Sequence, residues 1–170
     1  MTTAVFAAVA GVLGVIAGRL WDTRSEVARW KRDKKVLSYG GLIERYDAVL
    51  WAIWGIAAKN IDDPVTSLIE QQPIDTNSSQ AWTSWTTALG VVWLHGSPDV
   101  VSAATNVDRA MAGLYNAALT KKITTAEQWI ELRRPTHVAF ETFLEAARRE
   151  LRLPLVPFGF YTDFNEPFGF

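Results

Sequence analysis

Metal binding is the first chemistry to test, because two histidines and several carboxylates supply the residue types. His137, Glu141 and Glu145 are spaced by four residues and share one face of a helix. A carboxylate-bridged di-metal bundle, however, needs Glu-x-x-His pairs on two helices, and the sequence has none. His95 stands alone in sequence, without a metal-ligand spacing. We therefore interpret the three residues as a solvated helix face with i,i+4 contacts, and expect no metal or other cofactor.

No other motif in the sequence is typical of catalysis. The chain lacks the glycine-rich phosphate loop of P-loop NTPases and the Gly-x-Ser-x-Gly turn of hydrolases. It contains no cysteine, which excludes a thiolate nucleophile. The C-terminal letters DFNEPFGF are similar to the start of a calcium loop but have no glycine at the sixth position. The sequence predicts a protein that is not an enzyme.

The N-terminus combines an apolar stretch with a basic one. Residues 1–18 carry no charged side chain, whereas residues 19–35 carry seven Lys and Arg against three Asp and Glu. As a helix the apolar stretch would span about 27 Å, close to the ~30 Å hydrocarbon core of a bilayer. Since cytoplasmic flanks are rich in Lys and Arg, the basic stretch predicts an N-terminus outside and a cytoplasmic remainder. We therefore expect a single-pass protein of the cell inner membrane, anchored by residues 1–20.

Two sets of residues within this region have predicted roles. Small residues four apart let helix backbones approach closely in lipid, which predicts self-association into a homo-oligomer through Ala10, Gly14 and Gly18. Basic and indole side chains favour the headgroup region. The predicted membrane-interface residues are Arg19, Trp21, Arg24, Arg29, Trp30, Lys31 and Arg32.

Other interpretations of the N-terminus fit less well. An export signal would place basic residues before the apolar stretch, and here they follow it. A nucleic-acid patch would not be diluted by Glu26 and Asp33, and the net charge of the chain is −1, so no nucleic-acid partner is expected. The main alternative is a soluble all-helical binding module. Its apolar first helix would pack in a pocket or in an oligomer core.

The middle of the chain has the periodicity of amphipathic helices. Apolar residues recur every three or four positions from residue 36, and Gly40-Gly41 predicts a bend or break in that helix. This first stripe is Val36, Tyr39, Ile43, Tyr46, Leu50, Ile53 and Ala57. A second helix is expected from Ser78 or Ser79 to Gly96, with Trp82, Trp85, Leu89 and Val92 on one side.

Two further helices follow, each with a recognisable start. Ser97-Pro98-Asp99 is typical of an N-terminus, and Thr124-x-x-Glu127 has the form of a capping box. Pro135 predicts a kink or a break in the last helix. The predicted buried stripes are Val100, Ala104, Val107, Met111, Leu114 and Ala118 in one helix and Phe140, Leu144, Ala147 and Leu151 in the other.

These patterns predict an all-α fold. No segment alternates with period two, and the connections are mostly short, which favours an antiparallel helical bundle. The expected organisation is a transmembrane anchor at 1–20, a helical bundle at 21–152 and an irregular aromatic tail at 153–170. Asp62 or Asp63 could cap an additional short helix from Pro64 that ends at Pro73.

The tail repeats Pro-Phe-Gly-Phe at 157–160 and 167–170. Its prolines and glycines disfavour a helix, and exposed aromatics are an aggregation hazard in water, so we expect the tail to dock on a surface. The candidates are a groove of its own bundle, a partner protein or neighbouring protomer, and the membrane interface. The residues predicted to dock are Phe158, Phe160, Tyr161, Phe164, Phe168 and Phe170.

Three segments carry a resemblance to known proteins: the charged junction RSEVARWKRDKK, the middle stretch LGVVWLHGSPDVVSAATNVDRAM, and the closing FLEAARREL. Their order resembles a group of uncharacterised actinobacterial proteins with an N-terminal transmembrane helix and a small cytoplasmic helical bundle. The resemblance covers most of residues 1–152 and implies an architecture but no activity. Together with the absent catalytic motifs, it favours a membrane-anchored scaffold or interaction protein. Its expected partners are the lipid bilayer and an unidentified protein.

Overall fold

The computed structural model describes residues 2–61 and 78–156, with α1 side chains described from Glu26 onward except Ala28. Four α-helices account for almost all of this part: α1 (Thr2–Ala57), α2 (Ser78–His95), α3 (Pro98–Leu119) and α4 (Ala126–Glu150). A short 3-10 turn, Ala58–Asn60, follows α1. The described residues contain no β-strand, and the predicted all-α fold is confirmed.

Contacts at the two ends of the bundle show its topology. At one end Trp54 of α1 packs against Trp129 at the start of α4, with ring centroids 5.0 Å apart. At the other end Lys35 of α1 pairs with Glu150, where α4 finishes. α4 therefore runs antiparallel to α1. His95, at the end of α2, lies beside Ser38 of α1, so α2 also returns antiparallel to α1.

The helix α1 is longer than the sequence pattern predicts. It continues through Gly40-Gly41 without interruption, so the predicted break is absent. Each glycine costs a helix about 1 kcal/mol relative to alanine. Tyr39 and Leu42, which flank the pair, are both buried in the core, and fully burying one such side chain contributes about 1.5–3 kcal/mol. Tertiary packing therefore outweighs the local preference.

The buried face of α1 is rotated relative to the predicted stripe. Val36 and Ile43 of that stripe are 47% and 40% exposed. Leu42 and Val49, which the stripe omitted, are fully buried. The face that packs into the core comprises Tyr39, Leu42, Tyr46, Val49 and Ile53.

The bounds of α2 and α3 agree closely with the sequence signals. α2 begins at Ser78 and ends immediately before Gly96, and α3 begins at Pro98 with Ser97 as its N-cap. All six residues of the predicted α3 stripe are buried, as are three of the four on α2, with Trp82 partly buried. Ser97 makes no side-chain cap bond, and its backbone N–H instead donates to Glu150 Oε2 at 3.2 Å.

The predicted buried stripe of α4 is confirmed for Phe140 and Ala147, whereas Leu144 and Leu151 are only partly buried. The helix differs from its prediction in two further details. Its N-cap is Thr125, whose hydroxyl accepts from the Gln128 N–H, while Gln128 Oε1 accepts from the Thr124 N–H, so the N-cap is one residue later than the predicted Thr124-x-x-Glu127 box places it. Pro135 lies inside the helix without breaking it. Both Pro135 and Glu131 are exposed, so water can replace the hydrogen bond to the Glu131 carbonyl that proline cannot make.

Several predictions concern the N-terminus, the tail and the segment after Pro64, for which the structure describes few or no side chains. In the part of the chain that the structure describes, no helix has the combined length and hydropathy to cross a bilayer. The side chains of the predicted anchor, residues 1–20, are not among those described. The side chains of Trp21 and Arg24 are not described either, and the tail from 157 to 170 and the short helix predicted from Pro64 lie outside the described residues. The roles assigned to them remain predictions.

Candidate functional site

The end of the bundle at which α1 enters combines charged, aromatic and exposed apolar side chains. We call this the junction end and define it as residues 32–39, 93–98 and 148–156. Three contacts bring these segments together: Lys35 with Glu150, Ser38 Oγ with His95 Nδ1 at 3.0 Å, and Arg32 with the Leu151 carbonyl at 3.4 Å. The junction end is thus the point where the projecting part of α1 joins the rest of the molecule.

Glu150 is the central residue of the junction end. Its Oε1 accepts from Lys35 Nζ, and its Oε2 accepts from the Tyr39 hydroxyl and from the Ser97 N–H. One carboxylate therefore connects the end of α4 to α1 and to the start of α3. The sequence gives no sign of this, because the three partners are 53 to 115 residues away.

The electrostatics of the junction end follow from that arrangement. Burial by itself raises the pKa of Glu150, but the hydrogen bonds from Lys35, Tyr39 and Ser97 outweigh burial and hold the pKa below its ordinary value. The pKa of Tyr39 is raised, first by burial and then by the adjacent Glu150 carboxylate. Glu150 is therefore ionised and Tyr39 neutral at physiological pH, which is the pairing that the three hydrogen bonds require.

The part of α1 before the bundle is solvent-exposed. All described side chains from residue 26 to residue 33 are exposed, among them the predicted interface residues Arg29, Trp30, Lys31 and Arg32. Trp30 is 59% exposed, and Lys34 Nζ lies 5.7 Å from its ring centroid in a cation–π contact. An exposed indole among basic side chains is typical of a contact surface for a partner.

The junction end exposes several apolar side chains to solvent. Leu94 is 81% exposed and Trp93 is 54% exposed at the end of α2, and Leu37 is exposed on α1. The same end also exposes Leu153, Leu155 and Val156. The exposure of Leu94 has a sequence signal, because Leu94 lies on the opposite side of α2 from the stripe of Trp85, Leu89 and Val92. Trp93 has none, because it follows Leu89 by four residues and so lies beside that stripe.

His137 lies elsewhere in the molecule and differs from its prediction. It is buried, and its Nδ1 lies 3.0 Å from the Tyr46 hydroxyl of α1. The interpretation of His137, Glu141 and Glu145 as a solvated face is therefore wrong for His137, though Glu145 is exposed. The reason is that α1 crosses this part of α4 and covers the ring. No group of three or more His, Cys, Asp or Glu side chains among the described residues is arranged to hold a metal ion.

The environment of His137 predicts a pH-dependent stability. Burial, followed by the positive charge of Arg133, lowers its pKa to about 4, against 6.5 for an ordinary histidine. The unfolded chain then binds more protons than the native state between pH 6.5 and pH 4, so stability falls as the pH falls through this window. Allowing for partial solvent access, we expect a loss of about 2–3 kcal/mol in the free energy of unfolding.

The measurement is urea unfolding between pH 7 and pH 4 for the wild-type chain and for His137→Gln. The variant keeps a polar partner for Tyr46 but cannot titrate, so its pH dependence should be shallower than that of the wild type. The matched control is His95→Gln, which removes the other histidine and retains the His137–Tyr46 pair. An equal pH dependence in wild type and His137→Gln would contradict the assignment.

Comparison of the chain with family models, curated proteins and solved structures finds no match.

Proposed function

We propose that this chain is a non-enzymatic, membrane-anchored helical protein whose cytoplasmic bundle is a scaffold or interaction module. One observation carries the proposal: α1 is a single helix, Thr2–Ala57, that includes the apolar N-terminus and also forms part of the bundle core. An anchor formed by residues 1–20 would be continuous with the bundle through one helix. The orientation of the bundle would then follow that of the anchor.

The helical rise determines which predicted interface residues reach lipid. At ~1.5 Å per residue, Arg24 lies about 9 Å beyond Gly18, and Arg29 about 16 Å beyond it. The headgroup layer is about 5–8 Å thick on each side, and the Debye length at physiological salt is ~8 Å. In the proposed anchor, Arg19, Trp21 and Arg24 would therefore be close enough to contact lipid. Arg29 and Arg32 still contribute to orientation, since basic residues count within about 15–20 residues of a span.

The junction end supplies the interaction surface of the proposed module. It combines exposed Trp93 and Leu94 with basic side chains on α1 and at the end of α4, and large exposed apolar residues at one site are typical of a contact surface. Lys34 lies about 24 Å beyond Gly18, so a straight α1 would hold this surface clear of the bilayer. A partner protein could reach it there. Self-association through Ala10, Gly14 and Gly18 would bring two such surfaces together.

The anchor is tested by membrane fractionation of the full-length chain. We expect the chain to remain in the membrane pellet after washing with high salt and with alkaline carbonate, and to be released only by detergent, because residues 1–18 would lie in hydrocarbon. The matched control begins with Met followed by Arg19 and should appear in the supernatant with its helical content intact. Release of the full-length chain by salt or carbonate would contradict the anchor and support the soluble binding module.

The orientation is tested by a reporter that is active only in the cytoplasm, fused after Phe170. The fusion should be active, because the basic side of the span is retained inside. The comparison variant replaces Arg19, Arg24 and Arg29 with glutamine and changes Thr2 and Thr3 to lysine. It should lose part of that activity. An inactive reporter on the wild-type chain, at equal expression, would show the opposite topology.

A further inference from the structure

One side of the contact between α1 and α4 is left uncovered by the described residues. On α1, Val36 and Ile43 are exposed, and each lies three residues before a tyrosine that packs against α4. On α4, Leu144 and Arg148 share one face of the helix with His137, and His137 contacts α1. We define Val36, Ile43, Leu144 and Arg148 as the α1–α4 groove. It faces away from α2, which contacts α1 on the side of Ser38.

The chain leaves the end of α4 toward this groove. Arg148 donates from Nε and Nη2 to the Pro154 carbonyl at 2.9 and 2.6 Å, and the Leu153 N–H donates to the Arg148 carbonyl at 2.9 Å. These bonds hold residues 153–154 over the Arg148 side of α4. Leu155 and Val156 follow with exposed side chains, so the chain is next to the groove when it passes beyond the described residues.

The remaining chain has the length and chemistry to fill the groove. Residues 157–170 can reach up to about 46 Å when extended, whereas the helix from Arg148 back to His137 is about 17 Å long. The tail contains two acidic residues, Asp163 and Glu166, and no basic one, whereas the end of α4 carries Arg148, Arg149 and Arg152. Its aromatic side chains alternate with turn-forming residues.

We propose that residues 157–170 bind in the α1–α4 groove of their own chain, running back along α4 with aromatic side chains over Val36 and Ile43. The groove supplies apolar surface, Arg148 directs the chain onto it, and the basic end of α4 attracts the acidic residues of the tail. This contact lies within one chain, so it does not depend on whether α1 crosses a membrane.

The proposal is tested by pairs of cysteines introduced into the full-length chain, which has none of its own. In lipid vesicles, Ile43→Cys with Phe164→Cys should form an intramolecular disulfide at least tenfold faster than the control pair Thr87→Cys with Phe164→Cys. Thr87 is exposed on α2, away from the groove. Equal rates for the two pairs, or disulfides only between chains, would overturn the proposal.

Thiol labelling of single-cysteine variants provides a second measurement. A maleimide should label Cys at position 43 severalfold more slowly in the full-length chain than in a chain ending at Val156, whereas labelling at position 87 should be the same in both. Far-UV circular dichroism checks that each variant is folded. If the tail instead contacts a partner protein or the bilayer, labelling at position 43 is equally fast in both chains, and the proposal fails.

Discussion

Trp85→Ala should lower the free energy of unfolding by about 3–5 kcal/mol, the cost of replacing a large buried aromatic side chain with alanine. Trp85 is fully buried, and its Nε1 donates to Asp108 Oδ1 at 2.8 Å, which joins α2 to α3. The substitution removes both the packing and this hydrogen bond. Because a domain of this size is stable by only about 5–15 kcal/mol, the variant should be marginally folded at 37 °C.

The measurement is chemical denaturation followed by far-UV circular dichroism. The chain offers a matched control in Trp93→Ala, the same substitution on the same helix at a side chain that is 54% exposed. That variant should change stability by no more than about 0.5 kcal/mol. Trp85→Phe separates the two contributions, since it keeps most of the packing and loses only the bond to Asp108. Comparable losses for Trp85→Ala and Trp93→Ala would contradict the arrangement of α2 in the core.

Glu150→Ala should lower the free energy of unfolding by about 2–3 kcal/mol. The substitution leaves Lys35, the Tyr39 hydroxyl and the Ser97 N–H without their shared acceptor, and unpaired donors at a partly buried site are costly. Lys35 is partly exposed and can turn to water, which limits its share. The larger share comes from Tyr39, which is buried.

Thermal and urea denaturation measure this effect, and Glu145→Ala is the matched control. Glu145 is exposed on the same helix, so its replacement should change stability by about 0.5 kcal/mol or less. A double-mutant cycle with Tyr39→Phe tests the coupling, and we expect the two losses to be clearly non-additive. Additive losses, or equal effects of Glu150→Ala and Glu145→Ala, would show that Glu150 does not connect the three helices.

Glu150→Ala also distinguishes a mechanical role for the junction end from a purely stabilising one. If α1 transmits the orientation of an anchor to the bundle, loss of the Lys35–Glu150 and Tyr39–Glu150 contacts should increase protease cleavage within residues 29–35 while the bundle remains folded. Unchanged cleavage at these sites, measured under conditions where both proteins are more than 95% folded, would argue against that role.

Elements whose signals are local were predictable from the sequence. Gly96, Ser97 and Pro98 predict a turn between α2 and α3. In the structure α2 ends at His95 and α3 begins at Pro98. The α3 stripe was also predicted correctly in full. These successes have a common cause: caps, proline and glycine act within a few residues, and the apolar residues of α3 form one clear row against a polar opposite face.

The remaining features depend on how the helices pack against one another. On α1, neighbouring rows are almost equally apolar, so periodicity could not show that Leu42 and Val49 are buried while Val36 and Ile43 are exposed. His137 is buried because α1 crosses α4 at Tyr46, and Glu150 has its role because three distant segments meet around it. Spacing along one helix defines which residues share a face, but which face is covered depends on the neighbouring helices, which the sequence does not position.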